Sequence, residues 1–550
     1  MDNQRLFLWV ALALLFWLNY QAWVNDYHTP DPVVPQNQAA TPAGAAGESA
    51  PLPALPGEAP RPQAMAVPEP AEAAAAADRV KVSTDVLDVE ISLTGGDLVT
   101  ARLPTYPVAK NQPNVPVQLL STDPGRLFVF RTGLRARDDA GTSTPDTVYK
   151  VPQQVYELSE GETALVVPLV ADLGGGVTVT KTWRFERGKF AVVLEQTVQN
   201  DGQAAWSGAS YLQIRRLHSP AERSFTDVDS YSFQGPVVFT GEKYEKLDVG
   251  DLVGEPVQFT SGGGWLASIQ HHFLAAAIPQ GGQAAFSASA RPDGLYVLSA
   301  VGTPTEVAPG SAYTFTDEVF VGPKLQEQLE EASPRLRLTV DYGWLTIISQ
   351  PLFWLLSRIH ELVGNWGWAI IIMTVLIKLA FYKLSETSGK SMAKMRKLQP
   401  RMKALQERYA DDRQKLSQAM MELYKREKVN PASGCLPILV QMPVFLALYW
   451  VLLESVEMRQ APFMLWIQDL SSKDPFFILP LLMGVTMFIQ QKLNPAPPDP
   501  VQAKVMQVLP VIFTVFFAFF PAGLVLYWFV NNLLSILQQW RINHVVEKMG

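Results

Sequence analysis

A lysine stands inside a stretch that is otherwise apolar. The run Ile371 to Ser385 reads IIMTVLIKLAFYKLS, and Lys378 interrupts it before the apolar residues end. An ammonium in lipid-like surroundings is costly unless it faces a bundle interior or a watery cavity, so Lys378 is a candidate site for an anionic or polar ligand. Thr374 lies four residues before it and Tyr382 four after it, which places the three on one face of a continuous helix. Polar groups recur in the later apolar blocks: Gln441 beside Pro443, then Thr486, Thr514 and the pair Asn531 and Asn532. Such a set attracts and hydrogen-bonds; it makes no covalent bonds. For Lys378 alone the rival reading is snorkelling, because Ser385 is only ~10 Å of helix rise away and the lysine stem is long.

Signs of other chemistry are sparse. The chain has no H-E-x-x-H, no G-x-S-x-G, no phosphate-binding loop and no G-x-G-x-x-G after a strand, so neither enzymatic activity nor a cofactor is expected. His271 and His272 are adjacent in a strand-like context, which would point them to opposite faces and away from a shared metal. Gly262 to Gly264 precede Trp265 and read as a loop. Cys435 is the only cysteine, so no internal disulfide is possible, and its apolar flank suits a small packed side chain.

The elements that must position Lys378 come from the distribution of apolar residues. Leu6 to Val24 has about 19 residues without formal charge, close to the ~20 that cross a bilayer, and reads as an uncleaved signal anchor at 1–24. Further spans are expected at 364–383, 434–453, 475–490, 508–520 and 521–540, the last two separated at the FFPAGL break, giving six. The loop 384–430 is rich in Lys and Arg, whereas 454–474 has only Arg459 and Lys473, so the first is expected inside together with both termini, the loop 491–507 and the tail 541–550. Residues 342–360 contain Pro351, Arg358 and His360 among tryptophans and leucines and read as an interfacial amphipathic helix. The fourth and fifth spans are short, ~20 Å of helix against a ~30 Å core, which implies a thinned membrane or a polar cavity beside them.

Outside the membrane, residues 25–343 carry 23 Lys/Arg against 38 Asp/Glu, a balance of 23 − 38 = −15. Residues 25–78 are rich in Pro and Ala and read as a disordered linker. From 79 to 335, short alternating runs between turn residues predict an all-β sandwich; Val177 to Gln199 is a hairpin around Arg187-Gly188 with Phe190, Val192 and Leu194 on one face. Between Ser391 and Lys428, Met392, Met395, Leu398, Met402, Leu405 and Tyr409, then, after Asp411-Asp412, Leu416, Met420, Leu423 and Tyr424, recur at helical spacing and predict a helical hairpin whose apolar stripes meet.

Four motifs carry a resemblance. SMAKMRKLQP (Ser391 to Pro400), NPASGCLPILVQMPVFLALY (Asn430 to Tyr449), RQAPFMLWIQDLS (Arg459 to Ser471) and PVIFTVFFAFFPAGLVLYW (Pro510 to Trp528) closely resemble the YidC family of membrane protein insertases. The resemblance implies a multi-domain protein of the Gram-negative inner membrane: a signal anchor, a five-helix core, a cytoplasmic helical hairpin and a periplasmic β-supersandwich. It implies an insertase and chaperone that receives nascent membrane proteins, alone or with the Sec translocon, through a cationic groove open to cytoplasm and lipid. Ribosome or signal recognition particle components would meet the hairpin and tail, lipids would surround the core, and a monomer would suffice. Counting back from SMAKM, the groove cation falls on Lys378, where members usually carry arginine; Lys383 stands where they often carry proline. The groove would be completed by Thr374, Tyr382, Gln441, Thr514, Asn531 and Asn532. The substrate helix would slide past Pro443, Phe445, Leu446, Phe513, Phe517 and Tyr527. A secondary transporter using an intramembrane lysine is the alternative, although the inverted repeats and further midplane charges it would want are not found.

Overall fold

The structure, a computed structural model, describes residues 78–137, 146–219, 232–409, 412–427, 429, 436–493 and 500–548. The expected anchor at 1–24, the linker up to residue 77 and Cys435 lie outside the described residues.

The alternating runs after Arg79 form two large sheets. An eleven-stranded sheet runs from Val257–Gly262 through Gln283–Ala290, Leu295–Val301, Trp206–Leu217, Phe128–Ala136, Leu98–Pro107, Asp88–Ser92 and Arg79–Ser83 to Val155–Glu157, with Pro116–Leu120 paired beside Leu98–Pro107 and Thr305–Val307 beside Trp206–Leu217. Its neighbour has eight strands and contains the expected hairpin: Val177–Phe185 pairs antiparallel with Val192–Asn200. Val192 and Leu194 are fully buried and Phe190 nearly so, as period-two alternation requires. Side chains from both sheets share one core, with Phe130, Ile214 and Leu298 from the first meeting Trp183, Leu274 and Phe320 from the second. The chain crosses between the sheets at Gly262–Gly264; Gly263 has φ +85°, and a Cβ on Gly264 would come within 2.8 Å of the Phe239 carbonyl.

A cation is sealed in this sandwich. Lys181 is 0% exposed, and its Nζ donates to the carbonyls of Gly95 (2.8 Å) and Thr132 (2.9 Å) and to the Thr132 hydroxyl (3.0 Å). Burial lowers its pKa from 10.5 to about 8, a shift that Asp97 opposes.

After the last strand the described residues form nine α-helices: α1 (Gln326–Ala332), α2 (Thr346–Val363), α3 (Trp366–Ala380), α4 (Tyr382–Arg408), α5 (Arg413–Arg426), α6 (Leu436–Glu454), α7 (Ile478–Leu493), α8 (Pro500–Phe517) and α9 (Ala522–Lys548). No single helix among the described residues is long and apolar enough to cross a membrane; α3 with α4, bent by 66°, passes that test only as a pair. α9 packs on α3, α4 and α7, α8 packs on α7, and α2 lies against α3 and α6. On α2, Phe353, Leu356 and Ile359 are buried while Trp344 before it and Ile347, Trp354 and Leu362 on it are exposed, so its unpartnered side is strongly apolar. α4 and α5 form an antiparallel pair whose stripe residues Leu398 and Met402 pack with Met395, Met420, Leu423 and Tyr424.

The sandwich is tied to the C-terminal end of α6. Contrary to the opposite faces expected of them, His271 and His272 lie in a bend with their rings stacked at 3.8 Å. A bend, unlike a strand, does not alternate its side chains. Their Nε2 atoms lie 3.0 and 3.3 Å from the Leu453 carbonyl, an acceptor freed at the helix end. Burial keeps the His272 pKa well below the ordinary value, with His271, Lys324 and Arg459 adding to it, so His272 makes this contact uncharged. Ser232 donates to Glu454 (2.7 Å), and Arg459 and Gln460 donate to the Pro107 carbonyl (2.8 and 3.0 Å).

Candidate substrate groove

α3 is built of apolar residues and starts at Asn365, whose side chain accepts from the Trp368 amide at 3.1 Å. It ends at Ala380, three residues short of the expected span at 364–383, which would have carried Thr374, Lys378 and Tyr382 on a continuous face. The 66° bend at Phe381 moves Tyr382 onto α4, so the shared face holds for Thr374 and Lys378 only. Tyr382 contributes its backbone carbonyl, which accepts from Gln538 on α9 at 3.4 Å.

Lys378 is half-buried, and its Nζ donates to the Ser535 hydroxyl of α9 at 2.8 Å. That hydroxyl in turn donates to the Asn531 carbonyl one turn earlier, at 2.7 Å. The ammonium is thus turned across to α9 and keeps two of its three protons for other acceptors. About one turn before Ser535 on α9, Asn532 is 3% exposed and its amide nitrogen has no hydrogen-bond partner among the described residues. A buried donor without an acceptor is an unfilled site for a carbonyl or a water. Thr374 is 1% exposed and satisfies its hydroxyl on the Ile370 carbonyl at 2.6 Å, so it shapes the wall without offering a donor.

Other expected members lie elsewhere. The Thr514 hydroxyl donates to the Pro510 carbonyl (2.7 Å) in the α7–α8 contact, where a Cβ on Gly484 would overlap it. Gln441 is half-buried on α6, and no hydrogen bond among the described residues joins it to Lys378.

The expected sliding surface is an aromatic chain. The Phe445 ring stacks on Tyr527 at 6.2 Å and meets Trp528 edge-on at 4.9 Å; Trp528 touches Phe517 at 5.8 Å, and Phe517 touches Phe513 at 6.1 Å. It links α6, α9 and α8, although α6 and α8 are not packed along their lengths. Phe517 and Tyr527 are 5% and 4% exposed, so they form the floor, while Pro443, Phe445, Leu446 and Phe513 are half-buried at its surface. Ser535 and Trp528 were absent from the expected set. Trp528 had a signal, since it adjoins Tyr527; Ser535 had none of its own.

A family described as the YidC periplasmic domain matches residues 79–355, and one described as 60Kd inner membrane protein matches residues 358–549. The membrane protein insertase YidC of Nitrosococcus oceani is 49% identical over 553 residues, covering 100% of both chains. That of Thioalkalivibrio sulfidiphilus is also 49% identical, over 569 residues and 100% of both. A crystal structure of an active YidC insertase is 19% identical, covering 84% of this chain and 92% of that one, with a TM-score of 0.38 that adds no support of its own. Full-length identity at this level and the matched periplasmic domain leave one assignment: the chain belongs to the YidC family of membrane protein insertases.

Proposed function

We propose that this chain inserts membrane proteins into the inner membrane, without enzymatic chemistry, by drawing the polar external segment of a nascent chain toward Lys378 while its apolar helix leaves along α6 and α8. The contact that supports the reading best is Lys378 Nζ on Ser535, which holds a cation inside a helix bundle; the unpartnered amide of Asn532 lies about one turn before Ser535 on the same helix. A cation there attracts carboxylates with ~4 kcal/mol at 4 Å for an effective dielectric constant near 20. The exposed apolar residues of α8, among them Val511, Ile512 and Val515, give a departing helix a lipid-like wall. In this reading both termini and the α4–α5 pair face the cytoplasm, the β sandwich faces the periplasm and α2 lies in the outer interface. The basic α4–α5 pair would receive ribosome or signal recognition particle components, and the Sec translocon would act alongside. The transporter alternative has no support, since the full-length relatives are named as insertases.

The test is complementation of a depleted strain. Lys378→Glu should block insertion of a small two-span substrate with an acidic external tail, read by protease protection, whereas Lys378→Arg should support it. Normal insertion with Lys378→Glu would end the proposal.

A further inference from the structure

The periplasmic domain is acidic, yet four of its cations gather around one open cavity of about 500 Å³: Arg79, Lys81, Arg102 and Arg126. Glu90 and Asp123 are the acidic groups lining it, so the local balance is 4 − 2 = +2 where residues 25–343 as a whole stand at −15.

The pleat explains the clustering. Strands Arg79–Ser83, Asp88–Ser92 and Leu98–Pro107 are neighbours, with Lys81 opposite Glu90 and Glu90 opposite Thr100. Val80, Val82, Val89 and Ile91 point inward and are buried, which leaves Arg79, Lys81 and Glu90 on the outer face. Glu90 acts as a strut: Arg79 reaches it at 2.8 Å, Arg102 at 3.5 Å, and the Thr100 hydroxyl donates to it at 3.2 Å. One carboxylate therefore holds two guanidinium groups in place and neutralises only one. Arg126 has an exposed partner in Asp123 at 3.5 Å, an arrangement that solvent weakens. Lys81 is exposed and enters no ion pair among the described residues.

Location supplies the second argument. Beyond Arg102, the third of these strands continues for ~17 Å at ~3.3 Å per residue to Pro107. The Pro107 carbonyl is held by Arg459 and Gln460, just past the C-terminal end of α6. A segment emerging beside α6 thus meets a strand that leads to the cationic cavity, within a domain whose remaining charge would repel a polyanion. We propose that this cavity is a receiving site for acidic peptide segments, engaging their carboxylates once they have crossed to the periplasmic side. The inference rests on the insertase reading above and adds a second cation site on the far side of the membrane.

Fluorescence anisotropy of a labelled peptide bearing several glutamates, titrated with the full-length protein in neutral-lipid nanodiscs, tests it. The acidic peptide should bind, its glutamine counterpart should not, and binding should weaken at high salt. Lys81→Glu and Arg126→Glu should each weaken binding roughly tenfold, while Lys81→Arg retains it. Equal binding by the charge-reversed proteins would overturn the proposal. So would saturation of the site by inorganic phosphate with no affinity for the peptide, which would make it a small-oxyanion site. The titration requires no insertion: loss of peptide binding leaves the protease-protection result with Lys378→Glu standing, and normal insertion by that variant strikes the groove alone.

Discussion

Ser535→Ala is the substitution that isolates the contact between Lys378 and α9. It removes one oxygen from a half-buried position, so it opens little space, but it deletes the acceptor that lies 2.8 Å from Nζ. A hydrogen bond to a charged group contributes ~1.5–3 kcal/mol. Taking ~2 kcal/mol, the ammonium loses roughly 30-fold of its preference for the position facing α9, at tenfold per ~1.4 kcal/mol. It then becomes free to extend along its own helix toward the interface. Insertion of a substrate with an acidic tail should fall by about that factor in initial rate, and Ser535→Thr, which keeps the hydroxyl, should behave as wild type. The assay is a time course of protease protection in a depleted strain carrying each variant, repeated in a Lys378→Gln background. There Ser535→Ala should add nothing, because the coupling belongs to the pair. An equal loss in both backgrounds, or an equal loss for a neutral-tailed substrate, would refute the idea that Ser535 acts by positioning Lys378.

Two further outcomes concern stability. Lys181 has a folded pKa lowered from 10.5 to about 8, so the unfolded chain binds the extra proton between these values and the stability it withholds returns as pH rises through that window. Chemical unfolding followed by tryptophan fluorescence should therefore show wild type gaining on Lys181→Met by about 3 kcal/mol between the two pH values; a constant difference would contradict the burial argument. Gly484→Leu should separate α7 from α8, because even a Cβ there overlaps the Thr514 hydroxyl; overpacking of this kind costs ~1–3 kcal/mol, and the melting temperature in detergent should drop accordingly.

What could be read in advance followed from local pattern. Alternation located the hairpin around Arg187-Gly188, and three-and-four spacing paired the stripes of Leu398 and Met402 with Met420 and Leu423. Lys378 was visible because its type is out of place in an apolar run. Ser535 was not, because a small hydroxyl in a helix has no such contrast and its role depends on a partner 157 positions away. Tyr382 was misplaced because a regular spacing does not announce a 66° bend. The adjacent histidines were assigned strand geometry, and only the fold brings them to the end of α6. The cationic cavity is likewise set by strand register between distant segments.

The ties at Leu453, Glu454 and Arg459 bear on how α6 moves. A rod fixed at one end turns about that end, so displacement grows with distance from the anchor. Pro443 lies inside α6, eleven residues and ~17 Å of rise from Glu454, and its missing amide proton is a ready point of flexure. In the proposed reading α6 is a jointed lever with its fulcrum in the periplasmic domain, and the wall it would present to a departing helix opens at the end away from the β sandwich.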